Sequence, residues 1–339
     1  MANIVISEVC NLKCPYCFAS QFLENARTHT ESVFISLEDF EARLDFLDAS
    51  GIHEVRLIGG EPTLHPRFTG LVERARERGK SIVVFSHGLM SERALACLES
   101  LPPGECTVLV NINATRQVDQ PDEREMTQRR ATIARLGQRV QLGFNVYSTR
   151  FDLDFLIPLI EETGCQRAIR VGLAQPILDG KNAYLHPKQY PIVARRLVRF
   201  ARNAMAQGIR LDFDCGFVRC MFSEDDLNVL EQAGTLFEAR CNPILDLAIT
   251  GEAIHCFPLT GKVALPAGSG MDAGQMREQL SRQTRIYRSA GIYKECSTCL
   301  HKQNGVCSGG CLAVTLRRFQ HSAIRLDVPA SILSIPGQE

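Results

Sequence analysis

The stretch ISEVCNLKCPYCFAS, residues 6–20, places Cys10, Cys14 and Cys17 in a C-x3-C-x2-C spacing with no fourth cysteine beside them. A structural zinc site takes four ligands and a disulfide takes two, so the triad by itself completes neither, and a structural site with its fourth ligand elsewhere in the chain is the alternative reading. The chain holds 14 cysteines in 339 residues. At that frequency the spacing arises by chance only about 0.02 times in a chain of this length. The residues ahead of it, MANIVISEV, have strand character and lack the basic region and small-residue cleavage site of a secretory signal. No apolar run reaches membrane-spanning length, so no membrane partner is expected and the expected location is the cytoplasm. Thiols stay reduced there, which directs so many cysteines toward metal or metal–sulfur clusters. The 38 basic and 38 acidic residues cancel, which argues against a nucleic-acid partner.

Outward from the triad, residues 1–210 alternate short β-branched runs with segments of helical period. SLEDFEARLDFLDASG (36–51) opens on a cap at Ser36, carries Leu37, Phe40, Leu44 and Leu47, and stops at Gly51. EVRLIGGEP, SIVVFSHG, CTVLVNINA, RVQLGFNVY and RAIRVGLAQP follow as strands, each separated from the next by a helix. Six such units imply an α/β fold with a parallel sheet and right-handed crossovers. Sites in these sheets form at the carboxyl ends of the strands. The cysteine loop, GGEP, SHG, NINAT, Asn145 and AQP all fall there.

From about residue 212 cysteines become frequent and helices hard to place, and Lys262 to Arg282 is polar with scattered Gly and Ala. The expected organisation is a first domain over 1–211, a small loop-rich domain over 212–322 that owes its fold to bound metal, and a tail over 323–339.

Three thiolates leave one iron of a four-iron cubane open to another ligand. The segment around them, C10-N-L-K-C14-P-Y-C17 with its aromatic Tyr16, resembles the signature loop of radical S-adenosylmethionine enzymes. The resemblance implies a partial (β/α)6 TIM-like barrel. It further implies a [4Fe–4S] cluster on Cys10, Cys14 and Cys17 whose open iron binds S-adenosylmethionine, and a reductase, flavodoxin or ferredoxin as electron donor. Reductive cleavage of the cofactor would then give a 5′-deoxyadenosyl radical that takes hydrogen from a substrate. Gly59-Gly60-Glu61-Pro62, after the second strand, matches the segment that contacts the cofactor's amino group in that family. Glycines let backbone approach closely, and Glu61 supplies charge for an ammonium. Ser86-His87-Gly88 stands where relatives often carry Thr-Asn-Gly, so His87 departs from the pattern. Asn111, Asn113 and Asn145 are candidates for the ribose or carboxylate, or equally for capping strand ends.

The C-terminal spacings C241-x9-G251-x4-C256 and C296-x2-C299-x7-C307-x3-C311 resemble the SPASM extension, which holds auxiliary iron–sulfur clusters in enzymes that mostly modify peptides. The third gap is seven residues where five is usual, and no cysteine follows Cys311 although the family pattern ends on a seventh. The resemblance implies one or two auxiliary [4Fe–4S] clusters. With two, Cys241, Cys256 and Cys311 hold the near one, with Cys220 or Cys215 as the fourth ligand. Cys296, Cys299 and Cys307 hold the far one. A single twitch-like cluster would use Cys241, Cys256, Cys296 and Cys299, and paired C-x2-C knuckles also suit zinc. Cys97, Cys106 and Cys165 read as scaffold.

The expected function is hydrogen abstraction from a peptide or protein. The first strand begins too early for a leader-binding domain ahead of it, which weakens that expectation. A small-molecule enzyme acting on a sugar, nucleoside or amino-acid derivative is the alternative, and an iron–sulfur sensor is a third reading.

Overall fold

The computed structural model describes residues 1–26, 32–113, 122–266 and 268–320, so the tail at 323–339 lies outside the described residues. Strand β1 (Asn3–Ser7) runs into the cysteine loop, and helices α1 (Ser20–Ala26) and α2 (Leu37–Ala49) carry the chain to β2 (Glu54–Gly59). The alternation continues through α3 (Phe68–Glu77), β3 (Ser81–Ser86), α4 (Glu92–Glu99), β4 (Cys106–Asn111), α5 (Glu123–Leu136), β5 (Val140–Val146), α6 (Leu156–Thr163) and β6 (Ala168–Leu173). Every pairing from β1 to β6 is parallel. The six units expected from the sequence are present, as an open sheet rather than a closed barrel.

The local causes are those of the sequence. The Ser36 hydroxyl accepts from the Asp39 amide at the start of α2, and Phe40, Leu44 and Leu47 are buried at helical spacing. Leu37 shares that face but, as the first residue of the helix, is exposed. Ser91 and Asp122 cap α4 and α5 in the same way.

The sheet does not stop at six strands. After α7 (Tyr190–Ala206), β7 (Arg210–Phe213) pairs in parallel with β6. Beyond α8 (Glu224–Gln232), β8 (Leu236–Phe237) pairs in parallel with β7. The chain then returns to the opposite edge. There β9 (Asp246–Leu247) pairs in parallel with β1, and β10 (Glu252–Ile254) and β11 (Ala264–Pro266) add antiparallel. The strand order is β11-β10-β9-β1-β2-β3-β4-β5-β6-β7-β8. The boundary read at residue 211 falls inside β7, a short strand whose two charged residues mask its pattern.

Three helices follow: α9 (Ala273–Arg288), α10 (Leu300–Gln303) and α11 (Leu312–Gln320). Helix α9 begins within the polar segment 262–282, where the sequence suggests no helix. Asp272 and Gln275 form its capping box, and only Ala273, Met276, Leu280 and Thr284 are buried. So narrow a stripe is easily lost among polar residues. The apolar core runs unbroken from Ile4 and Leu57 to Leu245, Leu280 and Val314. The cysteine-rich segment therefore packs on the core of the sheet.

Candidate active site

The cysteine loop and GGEP are locked together by backbone. The Gly60 amide donates to Ser7 O and the Glu61 amide to Val9 O, both at 2.8 Å. A Cβ on Gly59 would stand 2.0 Å from Ser7 O, and one on Gly60 would stand 2.3 Å from Val9 O. These two glycines are needed so that the second strand end can press against the triad's own loop. Cys10, Cys14 and Cys17 are each half-buried. Burial pushes the Cys14 and Cys17 thiols up to about 11. Left alone they would stay protonated at neutral pH, whereas bound iron stabilises the thiolates.

Glu61 is fully buried and its two oxygens are engaged within the protein. Oε1 accepts from the Thr63 hydroxyl (2.6 Å), the Thr63 amide (3.2 Å) and the Ser86 hydroxyl (2.9 Å). Oε2 accepts from the His87 amide at 2.9 Å and lies 3.2 Å from His87 Nε2. Pro62 follows as the first residue of a 3-10 turn that Glu61 caps. His87 Nδ1 accepts from the Leu89 amide at 3.0 Å, which leaves its proton on Nε2, 2.7 Å from Asn11 Oδ1. Burial lowers the His87 pKa, in keeping with a neutral ring. The residue that departs from the family pattern thus ties the end of β3 to the cysteine loop. Ser86 also accepts from the Gly88 amide, so its hydroxyl is spent on the rim.

Tyr16 is buried, stacks on Tyr147 with ring centroids 4.8 Å apart, and accepts from Asn111 Nδ2 at 2.7 Å. Asn111 Oδ1 is buried without a partner. Asn113 serves the scaffold: its Nδ2 donates to Asn145 O at 2.9 Å, and its Oδ1 accepts from the Asn145 amide at 2.7 Å. The Asn145 side chain packs against Gly172, where a Cβ would come within 2.6 Å of Oδ1.

Two contributors have no signal in the sequence. Arg129, on polar α5, is 1% exposed. Its Nε donates to His87 O at 2.8 Å and its Nη1 to Asn113 O at 2.9 Å, while Nη2, buried without a hydrogen bond, is ion-paired with Glu125 Oε2 at 3.8 Å. Its charge is felt at Cys14 and Tyr16. Asn182, in the loop after β6, donates to Gln175 O at 2.8 Å and Tyr16 O at 3.4 Å. The neighbouring Ala183 amide donates to Pro15 O at 2.7 Å. A cleft of about 470 Å³ among Thr69, Arg76, Arg93 and Cys97 holds none of these residues.

The C-terminal thiols fall into two groups. Cys215 lies within electrostatic reach of Cys311 and Cys241, and Cys256 within reach of Cys241, Cys311 and Cys215. Cys220 lies within reach of Cys307, Cys296 and Cys299. Burial raises Cys215 and Cys256 well above the usual thiol range and Cys311 to about 12. Among the described residues no three His, Cys, Asp or Glu side chains converge on a point suited to one ion. Cluster thiolates each bind a different iron and need no such convergence. Cys97, Cys106 and Cys165 stand apart on α4, at the start of β4 and after α6.

Residues 4–139 match the family model of the radical SAM superfamily. The chain carries a radical SAM domain. The cofactors of such a domain are a [4Fe–4S] cluster and S-adenosylmethionine. The residues present fit that pair: three half-buried thiols, none in a disulfide, lie close to a buried acceptor without a partner, Asn111 Oδ1, whose amide nitrogen bonds the Tyr16 of their loop.

Among solved structures, anSMEcpe with bound AdoMet overlays at a TM-score of 0.67 and 17% identity, covering 98% of this chain and 95% of that one. Streptococcus suis SuiB bound to S-adenosylmethionine overlays at 0.64 and 17% identity, covering 92% and 73%. These likenesses establish the fold. A GTP 3′,8-cyclase of Mannheimia succiniciproducens is 33% identical over 93 residues, 27% of each chain. The match thus spans about a quarter of that curated relative. No helix among the described residues is long and apolar enough to cross a membrane.

Proposed function

We propose that this radical SAM enzyme abstracts hydrogen from a peptide or protein substrate, assisted by auxiliary [4Fe–4S] clusters on its C-terminal cysteines. Bound at the triad, the cluster and S-adenosylmethionine supply a 5′-deoxyadenosyl radical. Cys10, Cys14 and Cys17 would hold the cluster through three of its irons and leave the fourth for the cofactor. Asn111 Oδ1 would accept from a cofactor hydroxyl or ammonium, and Arg129, whose Nη2 faces Glu125 Oε2 at 3.8 Å, would add positive charge on the side of its carboxylate. Gly59 to Pro62 offer backbone, while Glu61, Ser86 and His87 hold that backbone in place. Tyr16, packed on Tyr147, sits against the triad within hydrogen-bonding reach of Cys14.

The observation that carries the peptide reading is the extent of the fold likeness. It runs through the cysteine-rich segment to proteins solved with peptides: SuiB bound to precursor peptide SuiA, and anSMEcpe with AdoMet and the Kp18Cys peptide. The second reading, a small nucleotide-like substrate, is favoured by the GTP 3′,8-cyclase match, which is confined to about a quarter of the chain.

Anaerobically reconstituted protein with a low-potential reductant should release 5′-deoxyadenosine and methionine, and replacing Cys10, Cys14 and Cys17 with Ala should abolish this. Persistent cleavage in that variant sinks the assignment. Offering peptides and GTP separately, and following 5′-deoxyadenosine turnover with substrate mass, decides between the two readings.

A further inference from the structure

We propose that Cys220 completes the far thiol set, so that Cys220, Cys296, Cys299 and Cys307 hold one auxiliary cluster and Cys215, Cys241, Cys256 and Cys311 hold the other. Neither cluster then keeps an iron open to substrate. This rests on the auxiliary-cluster reading above and departs from the family pattern, in which a seventh cysteine closes the motif.

The partition comes from the way the chain leaves β7. Phe217 and Phe222 stack on Phe213 with centroids 4.4 and 5.9 Å apart, and Val218 and Met221 are buried beside them. Gly216 turns the chain just after Cys215, at φ +98, where a Cβ would meet Gln175 Nε2 at 2.3 Å. The anchored segment leaves Cys215 half-buried beside Asp214, which pairs with Arg170 at 2.6 Å. It carries Cys220, in the 3-10 turn Arg219–Met221, out to the exposed side.

Cys307, Cys296 and Cys299 all lie within electrostatic reach of Cys220 there. Cys299 caps α10, and the Val306 and Cys307 amides both donate to His301 O, so Cys299 and Cys307 belong to one compact turn. Cys296 is pressed against Gly291, where a Cβ would come within 2.5 Å of the Cys296 Cβ. Tyr293 lies within electrostatic reach of both Cys220 and Cys296, and its hydroxyl donates to Pro187 O at 2.7 Å. Ser308, between Cys307 and Cys311 in the chain, anchors that compact turn: its amide donates to Ala239 O and its Oγ accepts from the Cys241 amide, both at 2.8 Å. Beyond the anchor Cys311 lies within electrostatic reach of Cys241, Cys215 and Cys256, and before it Cys307 lies within reach of Cys220. Four thiolates on each cluster confine both to electron transfer or structural support, so the substrate must bind at the radical site.

The test uses the Cys10/Cys14/Cys17→Ala protein, which has no radical cluster to lose iron and should bind about 8 irons per chain at four per cubane. Adding Cys220→Ala should create, on mild oxidation, the electron paramagnetic resonance signal of a three-iron cluster. Adding Cys296→Ala and Cys299→Ala as well should remove that signal and leave about 4 irons, the count of one cubane. In the same far-cluster-deficient background, Cys215→Ala should restore a three-iron signal from the near cluster. The proposal is overturned if Cys220→Ala produces no signal, or if its signal survives loss of Cys296 and Cys299. A starting protein that binds zinc, or almost no iron, instead removes the auxiliary-cluster reading itself, and shows this before Cys220 is changed.

Discussion

Asn3 and Asp246, 243 positions apart, are joined by a 2.6 Å hydrogen bond from Nδ2 to Oδ1, both residues being buried. The pair fastens β1, which delivers the triad, to β9, which lies between Cys241 and Cys256. The Phe257 amide donates to the other Asp246 oxygen at 3.1 Å. Burial nevertheless raises the Asp246 pKa to about 7. Because the folded pKa lies above the unfolded one, this group makes stability fall as pH rises from about 4 to about 7, and contributes no further change above that.

Removing the Asn3 donor should therefore cost most where Asp246 is ionised. Asn3→Leu is expected to destabilise by about 1–3 kcal/mol, the range for a buried acceptor that loses a partner. The loss should be larger at pH 8 than at pH 5, measured by denaturant unfolding of the iron-loaded protein. An equal loss at both pH values would show that the bond does not favour the ionised form.

Gly60→Ala should separate GGEP from the cysteine loop, because the new methyl meets Val9 backbone rather than a side chain that can yield. Cofactor cleavage and iron bound at the triad should both fall sharply. Gly70→Ala is the control. Gly70 lies within α3, and a Cβ there would meet nothing within 4 Å, so the change should stabilise by about 0.5–1 kcal/mol. If the two variants behave alike, the close approach is not what Gly60 provides.

Glu61→Gln would turn an amide NH2 toward donors that now point at a carboxylate. The expected cost is about 1–3 kcal/mol of stability, together with weaker S-adenosylmethionine binding as Ser86 and His87 shift. Binding titration and thermal unfolding on the same sample check both. Weaker binding at unchanged stability would instead assign Glu61 directly to the cofactor's ammonium.

Arg129→Met would leave His87 O and Asn113 O without their shared donor. Loss of two charge-assisted bonds should lower stability by about 3 kcal/mol or more. Arg129→Lys should recover only part of this, since an ammonium cannot reproduce the planar fork that spans two carbonyls. Full recovery by Lys would reduce the role of Arg129 to its charge.

Much of this protein was legible in the chain itself. The triad and GGEP are short-range patterns whose spacing is dictated by chemistry, and the β/α alternation that carries them is written in local apolar periods. Caps at Ser36, Ser91 and Asp122 needed only their neighbours. Contacts between distant residues were not legible. Arg129 reads as one more charge on a polar helix until two strand ends bring carbonyls to it. Strand β9 has two residues, too few for a period, and exists because β1 has a free edge to offer. Cys215 and Cys220 look interchangeable five positions apart. Only the stacked phenylalanines between and around them direct the two thiols to different neighbours, because packing against a fixed core, and not local sequence, sets where a side chain points.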